Sequence, residues 1–310
     1  MRAVAVVGPT ATGKSALALA LAERFGGVII ACDSTAIYRG IDIGTDKMPL
    51  GEQRGVPHFM VDLADPADAY SAARYAQDAS RIMRDQAGAG RLPILAGGTG
   101  FYYRALVRGL FPGPARDEAL RARLERVASR RGVESLHRWL VRVDPESGQR
   151  IQPRDLKRLV RALEVYLLTG RPLTEHFGQT ASPISDFEIL TIGVNMPREE
   201  LRPRVARRVD QQFARGVVDE VRRLIDAGVP RTAHAFTGLV YRQVMEMLDG
   251  VRDERATREL IVQENMRYAR RQLSWFRSEP GVRWLDGPGE SPEVIAQAIA
   301  LVAAWPDTTP

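Results

Sequence analysis

Residues 8–15 read Gly-Pro-Thr-Ala-Thr-Gly-Lys-Ser, a fit to G-x-x-x-x-G-K-[ST]. An apolar run, AVAVV at 3–7, precedes the octapeptide, and SALALALAERF at 15–25 follows it, rich in helix formers. A buried strand, a glycine-rich loop and a helix N-terminus in that order form a ready anion site. Consecutive backbone N–H groups and the helix dipole converge on phosphate oxygens. Gly8, Thr10, Ala11, Thr12 and Gly13 are the expected loop residues. Lys14 is expected to neutralise phosphate charge and the Ser15 hydroxyl to hold Mg²⁺. The motif specifies a phosphate or diphosphate; it does not specify nucleotide hydrolysis.

Further apolar runs alternate with helical segments. VIIAC at 28–32, HFMVDL at 58–63 and PILAG at 93–97 read as strands, and 70–87 reads as helix. This alternation predicts an α/β fold, P-loop NTPase-like, with a doubly wound, mostly parallel sheet. After Phe111-Pro112-Gly113-Pro114 no β-like run occurs as far as Arg161. Asp155 and Gly170 bracket a helix with an apolar stripe of Leu156, Leu159, Leu163 and Leu167, and Arg158 and Arg161 share another face. GQTASPISD at 178–186 reads as a linker and FEILTIGVN at 187–195 returns to strand character. The expected layout is a core of residues 1–114 and 186–310, finishing in helices, with a helical insertion at 115–185.

Charge narrows the partner. The chain has a formal net charge of +6, and residues 116–161 carry 13 Lys/Arg against 7 Asp/Glu, so this stretch of the insertion alone has a net charge equal to that of the whole chain. A basic helical segment beside a phosphate-binding core points to a polyanion. Only three of the 44 basic residues are lysines, Lys14, Lys47 and Lys157, and one of these falls at the phosphate-loop position. The single cysteine, Cys32, excludes internal disulfides and a cysteine-built zinc site, and the four histidines are too scattered for a ligand cluster. No stretch reaches the roughly 20 apolar residues of a membrane helix. With no export signal after Met1, the cytoplasm is the expected location.

Two polar groups follow apolar strands at their carboxyl ends, where open α/β sheets bind ligands. Asp33 follows VIIAC and Thr99 sits in Gly97-Gly98-Thr99-Gly100 after PILA. On pattern alone, Asp33 is a turn residue or a functional carboxylate, and Thr99 a turn residue or a site hydroxyl. A carboxylate beside a diphosphate serves a kinase, by activating a hydroxyl, or an alkyl transferase, by taking a proton from the incoming nucleophile.

GPTATGKS (8–15), DSTAIYRGIDIGTDK (33–47), GVPHFMVDLADPADAYSAARY (55–75), GGTGFYYRAL (97–106) and RLVRALEVYLLTGRP (158–172) occur in this order. Together they resemble the tRNA dimethylallyltransferase (tRNA isopentenyltransferase) family from about residue 3 to about 285. The resemblance implies transfer of a dimethylallyl group from dimethylallyl diphosphate to N6 of adenosine-37, beside the tRNA anticodon. The tRNAs implied are those reading codons that begin with U. Diphosphate is released and Mg²⁺ is required. The partners implied are the tRNA anticodon stem-loop and dimethylallyl diphosphate, with a monomeric, bacterial-type enzyme lacking a zinc-finger extension.

By the same resemblance Asp33 is the general base and Thr99 assists on the diphosphate side. Arg208 joins Lys14 and Ser15 at the diphosphate. Contact with tRNA falls to Asp33, Ser34, Thr35, Ala36, Thr99, Arg121, Lys157, Arg158, Leu159, Val160 and Arg161, and to Tyr241 and Arg242 in the 236–243 region. One position departs from the family pattern: Val240 stands where Gly is usual. Two rival readings use the same loop. One is a small-molecule P-loop kinase with Asp62 at its metal site, and the other a prenyltransferase acting on free AMP or ADP.

Overall fold

The computed structural model describes residues 1–306. The chain opens with strand β1 (Arg2–Val7), helix α1 (Lys14–Phe25), strand β2 (Gly27–Ala31) and strand β3 (His58–Phe59). Helix α2 (Ala72–Gly88), strand β4 (Leu92–Ala96) and helix α3 (Gly100–Val107) follow. Local chemistry sets these bounds. Gly13 (φ 86°) and Gly26 (φ 62°) flank α1 in left-handed conformations, and the Gly26 N–H donates to the Ala22 carbonyl. Ser71 caps α2, accepting from the Arg74 N–H at 3.2 Å. The third strand is shorter than the 58–63 expected, because Met60 (φ 62°) and Asp62 (φ 56°) turn the chain out of extended conformation.

Residues Arg108–Ser182 form their own compact unit. It comprises α4 (Glu118–Arg131), α5 (Val133–Val143), α6 (Pro145–Arg150), α7 (Leu156–Thr169) and α8 (Leu173–His176). Leu124, Leu136, Leu140, Leu159 and Leu163 make its core, with Phe111 packed against them. That packing draws the unit's start back from the expected 115. At the far end Asp186 pairs with Arg84 at 3.0 Å and belongs to the core unit, so the boundary falls at 182 rather than 185. Helix α7 begins and ends where expected: the Asp155 side chain accepts from Arg158 N–H and Gly170 (φ 71°) closes it. Its stripe is incomplete, since Leu167 is exposed.

The core resumes with β5 (Glu188–Asn195), α9 (Arg198–Ala214), α10 (Val217–Asp226), α11 (Tyr241–Leu248), α12 (Glu254–Arg277), β6 (Arg283–Asp286) and α13 (Pro292–Ala304). The strands pair in the order β3-β2-β4-β1-β5-β6, all parallel. β6 is an edge strand where only helices were expected. Its four residues, Arg-Trp-Leu-Asp, are too few to show a period. β1 lies between β4 and β5, with Val4 facing Ile94 on one side and Leu190 on the other. Being inside the sheet, β1 is entirely apolar and buried from Ala3 to Val7, as a central parallel strand requires. Leu17 and Leu21 of α1 pack with Val4, Val6, Val294 and Ala298 and are fully buried. Each such leucine contributes about 1.5–3 kcal/mol of burial. The carboxyl ends of β1, β2 and β4 therefore stand side by side on a rigid platform. They carry the 8–15 loop, Asp33 and the 97–100 loop respectively.

Candidate active site

The phosphate loop is tightly backed. A Cβ at Gly8 (φ 136°) would lie 2.4 Å from the Val194 carbonyl oxygen, so no side chain fits there. The Thr12 hydroxyl is buried and donates to the Pro9 carbonyl at 2.9 Å, so this side chain shapes the loop rather than facing a ligand. Arg204 donates to the Ala11 carbonyl at 2.8 Å and pairs with Glu290, bracing the loop from outside. The Lys14 ammonium donates to the Pro9 carbonyl. Burial, together with the positive charge of Arg208, lowers the Lys14 pKa to about 7, with Asp33 partly opposing the shift.

Asp33 is held by its own turn. Its Oδ1 accepts from the Thr35 N–H at 2.8 Å, the Thr35 hydroxyl at 2.6 Å and the Ala36 N–H at 3.3 Å. No hydrogen bond from the described residues reaches Oδ2. One oxygen of Asp33 therefore builds the turn and the other is available. Thr99 accepts from the Ser34 N–H at 3.1 Å, tying the β4 loop to the Asp33 turn. It stands beside the two cavities described next without lining either.

Lys14, Ser15, Thr10 and Arg208 line one end of a cavity of about 200 Å³, and Asp33 stands in its wall. Ile29, Ala31, Met48, Val61 and Ala96 add apolar surface to the lining, alongside polar Asp46, Lys47, Gln53, His58 and Gln272. Arg208 donates to the Thr10 hydroxyl at 3.0 Å and pairs with Asp46 at 2.7 Å. A second cavity of about 300 Å³ shares Thr10, Asp33, Arg208 and Tyr268 with the first. It is bounded by Ser34, Thr35, Gly238–Val240 and Arg271. Asp33 thus faces a cation-and-apolar cavity on one side and a polar one on the other. Burial raises the Tyr268 hydroxyl to about 12, with Asp33's charge adding to it, so it stays protonated between the cavities.

Ser15 is exposed and lines both the first cavity and a pocket outside the loop, each beside Asp46. Among the described residues no group of three or more His, Cys, Asp or Glu is placed to hold a metal. One hydroxyl with a nearby carboxylate suits Mg²⁺, which keeps waters and phosphate oxygens as its other ligands. Asp62, which a kinase reading needs, is ion-paired to Lys47 at 2.6 Å and lines no part of this cavity.

Several residues expected to touch tRNA are buried or paired within the protein. Tyr241 is fully buried, donating to Glu220 at 2.6 Å. Its neighbour Arg242 is half exposed and pairs with Glu264 at 2.6 Å. Ala36 is buried and lines the apolar cavity. Within the helical unit Leu159 and Val160 are buried, because a segment longer than one helical turn must send some side chains inward. Arg121 and Arg161 both bind the fully buried Glu164, at 2.8 and 2.7 Å. Lys157 and Arg158 remain exposed. Tyr268, Gln272 and Asp46 escaped the sequence reading. The i, i+4 spacing of Tyr268 and Gln272 was visible, yet identical to that of an ordinary solvated helix face.

A central parallel strand running into a phosphate loop, with a carboxylate on the neighbouring strand end, defines a P-loop NTPase-like α/β protein. A family profile described as IPP transferase matches residues 36–279. A tRNA dimethylallyltransferase of Thermomicrobium roseum is 48% identical over 285 residues, 91% of this chain and 85% of the relative. The Solibacter usitatus tRNA dimethylallyltransferase is 46% identical over 308 residues, 98% and 99% of the two chains. The crystal structure of a tRNA isopentenylpyrophosphate transferase from Bacillus halodurans aligns with a TM-score of 0.73 at 35% identity, covering 97% and 95%. The chain belongs to the IPP transferase family. Among the described residues no helix is long and apolar enough to cross a membrane.

Proposed function

We propose that the protein transfers a dimethylallyl group from dimethylallyl diphosphate to N6 of adenosine-37 in tRNAs reading codons that begin with U. One observation carries the reading: Asp33 stands in the wall shared by two cavities, one of which pairs Lys14 and Arg208 with an apolar lining. The diphosphate takes the cationic end and the prenyl group takes the wall of Ile29, Met48, Val61 and Ala96. The adenine, turned out of the anticodon-loop stack, takes the second cavity.

The exocyclic amine is a weak nucleophile and depends on alignment with the allylic carbon. As the N–C bond forms, the C–O bond to diphosphate breaks with its electron pair, and Asp33 Oδ2 accepts the N6 proton. The turn bonds from Thr35 and Ala36 to Oδ1 hold the carboxylate in place. Thr99 acts through Ser34, keeping the Asp33 turn registered against the β4 loop. Lys14 and Arg208 neutralise the leaving diphosphate. Ser15 would hold Mg²⁺, which supplies further neutralisation of the phosphate oxygens when bound. The exposed cations of the helical unit, Lys157 and Arg158 among them, would contact tRNA phosphates.

Nucleoside analysis of tRNA after incubation with the protein, Mg²⁺ and dimethylallyl diphosphate tests this. Dimethylallyladenosine at position 37 is the expected product. Phosphate transfer from labelled ATP, or prenylation of free AMP as efficient as that of tRNA, would overturn the reading.

A further inference from the structure

Arg208, the cation placed to meet the diphosphate, is engaged by a carboxylate of the protein itself. Its Nε meets Asp46 Oδ2 at 2.7 Å, while Nη1 donates to the Thr10 hydroxyl at 3.0 Å and Nη2 to the Thr45 carbonyl at 3.4 Å. Asp46 lines the cavity together with Lys14, Ser15 and Arg208. A fixed negative charge therefore sits where a diphosphate is expected to arrive.

Asp46 cannot swing away with Arg208. It lies in a left-handed conformation (φ 57°), and its N–H donates to the Ile43 carbonyl at 3.1 Å. The preceding loop is pinned by buried Glu220, which accepts from the N–H groups of Asp42, Ile43 and Gly44 and from the Tyr241 hydroxyl. Gln212 adds a bond to the Gly44 carbonyl at 3.1 Å. The other oxygen of Asp46, Oδ1, already faces a second cation, Arg215, at 3.4 Å. Arg208 is carried by a long, rotatable side chain on α9, whereas the carboxylate is fixed to a rigid loop.

We propose that Asp46 is a counter-anion of the diphosphate site. It holds Arg208 against the phosphate loop, releases it to the incoming diphosphate, and is then carried by Arg215. By competing for Arg208 it weakens the hold on diphosphate and so favours release of that product. This rests on the reading that diphosphate binds between Lys14 and Arg208.

Calorimetric titration with inorganic diphosphate tests it, on the wild type, Asp46→Asn, Asp46→Ala, Arg215→Ala and the Asp46→Asn/Arg215→Ala pair. Each is measured with Mg²⁺ and with a chelator, after thermal melting confirms a folded chain. Both Asp46 variants should bind diphosphate tighter, by about tenfold, the size of a typical coupling between sites. Arg215→Ala alone should bind it more weakly, and that loss should vanish in the double variant, which a merely structural role of Arg215 would not produce. Unchanged or weaker binding in Asp46→Asn would overturn the proposal. Weakening confined to the Mg²⁺ arm would replace it with a metal-ligand role for Asp46. If the wild type does not bind diphosphate, or Lys14→Ala binds it equally well, the diphosphate reading itself fails.

Discussion

Gln272 bolts the phosphate loop to the loop after β4: its Oε1 accepts from the Thr10 N–H at 2.8 Å, and its Nε2 donates to the Gly98 carbonyl at 2.9 Å. Both bonds run from the interior of α12. The fit is close enough that a Cβ at Gly98 would lie 2.1 Å from Nε2. Gln272→Ala strands one donor and one acceptor and should cost about 2 kcal/mol of stability. It should also raise KM for the prenyl diphosphate more than it lowers kcat, because it frees the loop rather than removing a reacting group. Urea unfolding and steady-state kinetics measure the two effects. Unchanged stability and KM would show that the loops keep their registration without it.

Asp33→Ala should leave tRNA affinity largely intact and lower the prenylation rate at least 10²-fold, the usual size of a general-base contribution. Thr35→Val keeps the N–H and deletes the hydroxyl that donates to Oδ1, so it should give a smaller loss with the same pattern. Single-turnover rates with tRNA binding measured separately will test both. A near-wild-type rate in Asp33→Ala would remove it from the role of base.

Lys14, lowered to about 7, is largely neutral above that pH, and a bound diphosphate favours its charged form. Binding should therefore take up a proton, and diphosphate affinity should fall as pH rises from about 7 toward the ordinary lysine value of 10.5. Calorimetry in buffers of different ionisation heat counts that proton, and Lys14→Met should abolish the uptake. The same shift has the opposite consequence for folding. Between about 7 and 10.5 the unfolded chain holds the extra proton, so this group's contribution to stability rises with pH.

Val240 adopts φ 82°, ψ −60°, a strained conformation for a β-branched residue, and its side chain is buried. At most buried sites Ala is better tolerated than Gly. Here Val240→Gly should be more stable than Val240→Ala by about 1 kcal/mol, because only glycine relieves the backbone. Paired denaturation curves decide it, and the ordinary order, Ala above Gly, would mean the strain is small.

Glu164 organises the helical unit. Burial pushes its carboxyl up, but hydrogen bonds from Arg121 and Arg161 and from the Asp117 N–H outweigh this and bring it down to about 2. Its stabilising contribution is complete above the ordinary glutamate value of 4.5 and is lost as pH falls from there to about 2. Arg161→Ala should destabilise the unit by about 3 kcal/mol, since it strips a partner from a buried charge. Arg158→Ala should leave stability alone and reduce the salt slope of tRNA binding. Equal salt slopes in Arg158→Ala and the wild type would place Arg158 away from tRNA.

The phosphate loop, the strands around it and helix α7 were readable because local chemistry determines them: glycines at left-handed turns, capping aspartates and apolar runs. β3 and β6 were not. Each is short, and its limits come from backbone turns at Met60 and Asp62 or from pairing along the edge of β5. The site divides in the same way. Lys14, Asp33 and Arg208 stand together on one cavity. Tyr241 and Arg161 look like surface contacts in the sequence, yet each is claimed by a buried carboxylate. Glu220 lies 21 residues from Tyr241, and only the folded chain makes them partners. Asp46 and Gln272 gave no signal, because an Asp in a polar loop and a Gln on a charged helix are ordinary occurrences.

The Glu220 contact has a consequence for how the protein sorts anions. The 42–44 loop aims successive backbone amides at a single point, the arrangement that elsewhere captures a phosphate. Here that point is filled from within by a carboxylate the chain itself supplies. A phosphate would have to displace four hydrogen bonds to lodge there. The molecule has thus plugged this socket from within, with a carboxylate that no soluble anion replaces without breaking its hydrogen bond from Tyr241.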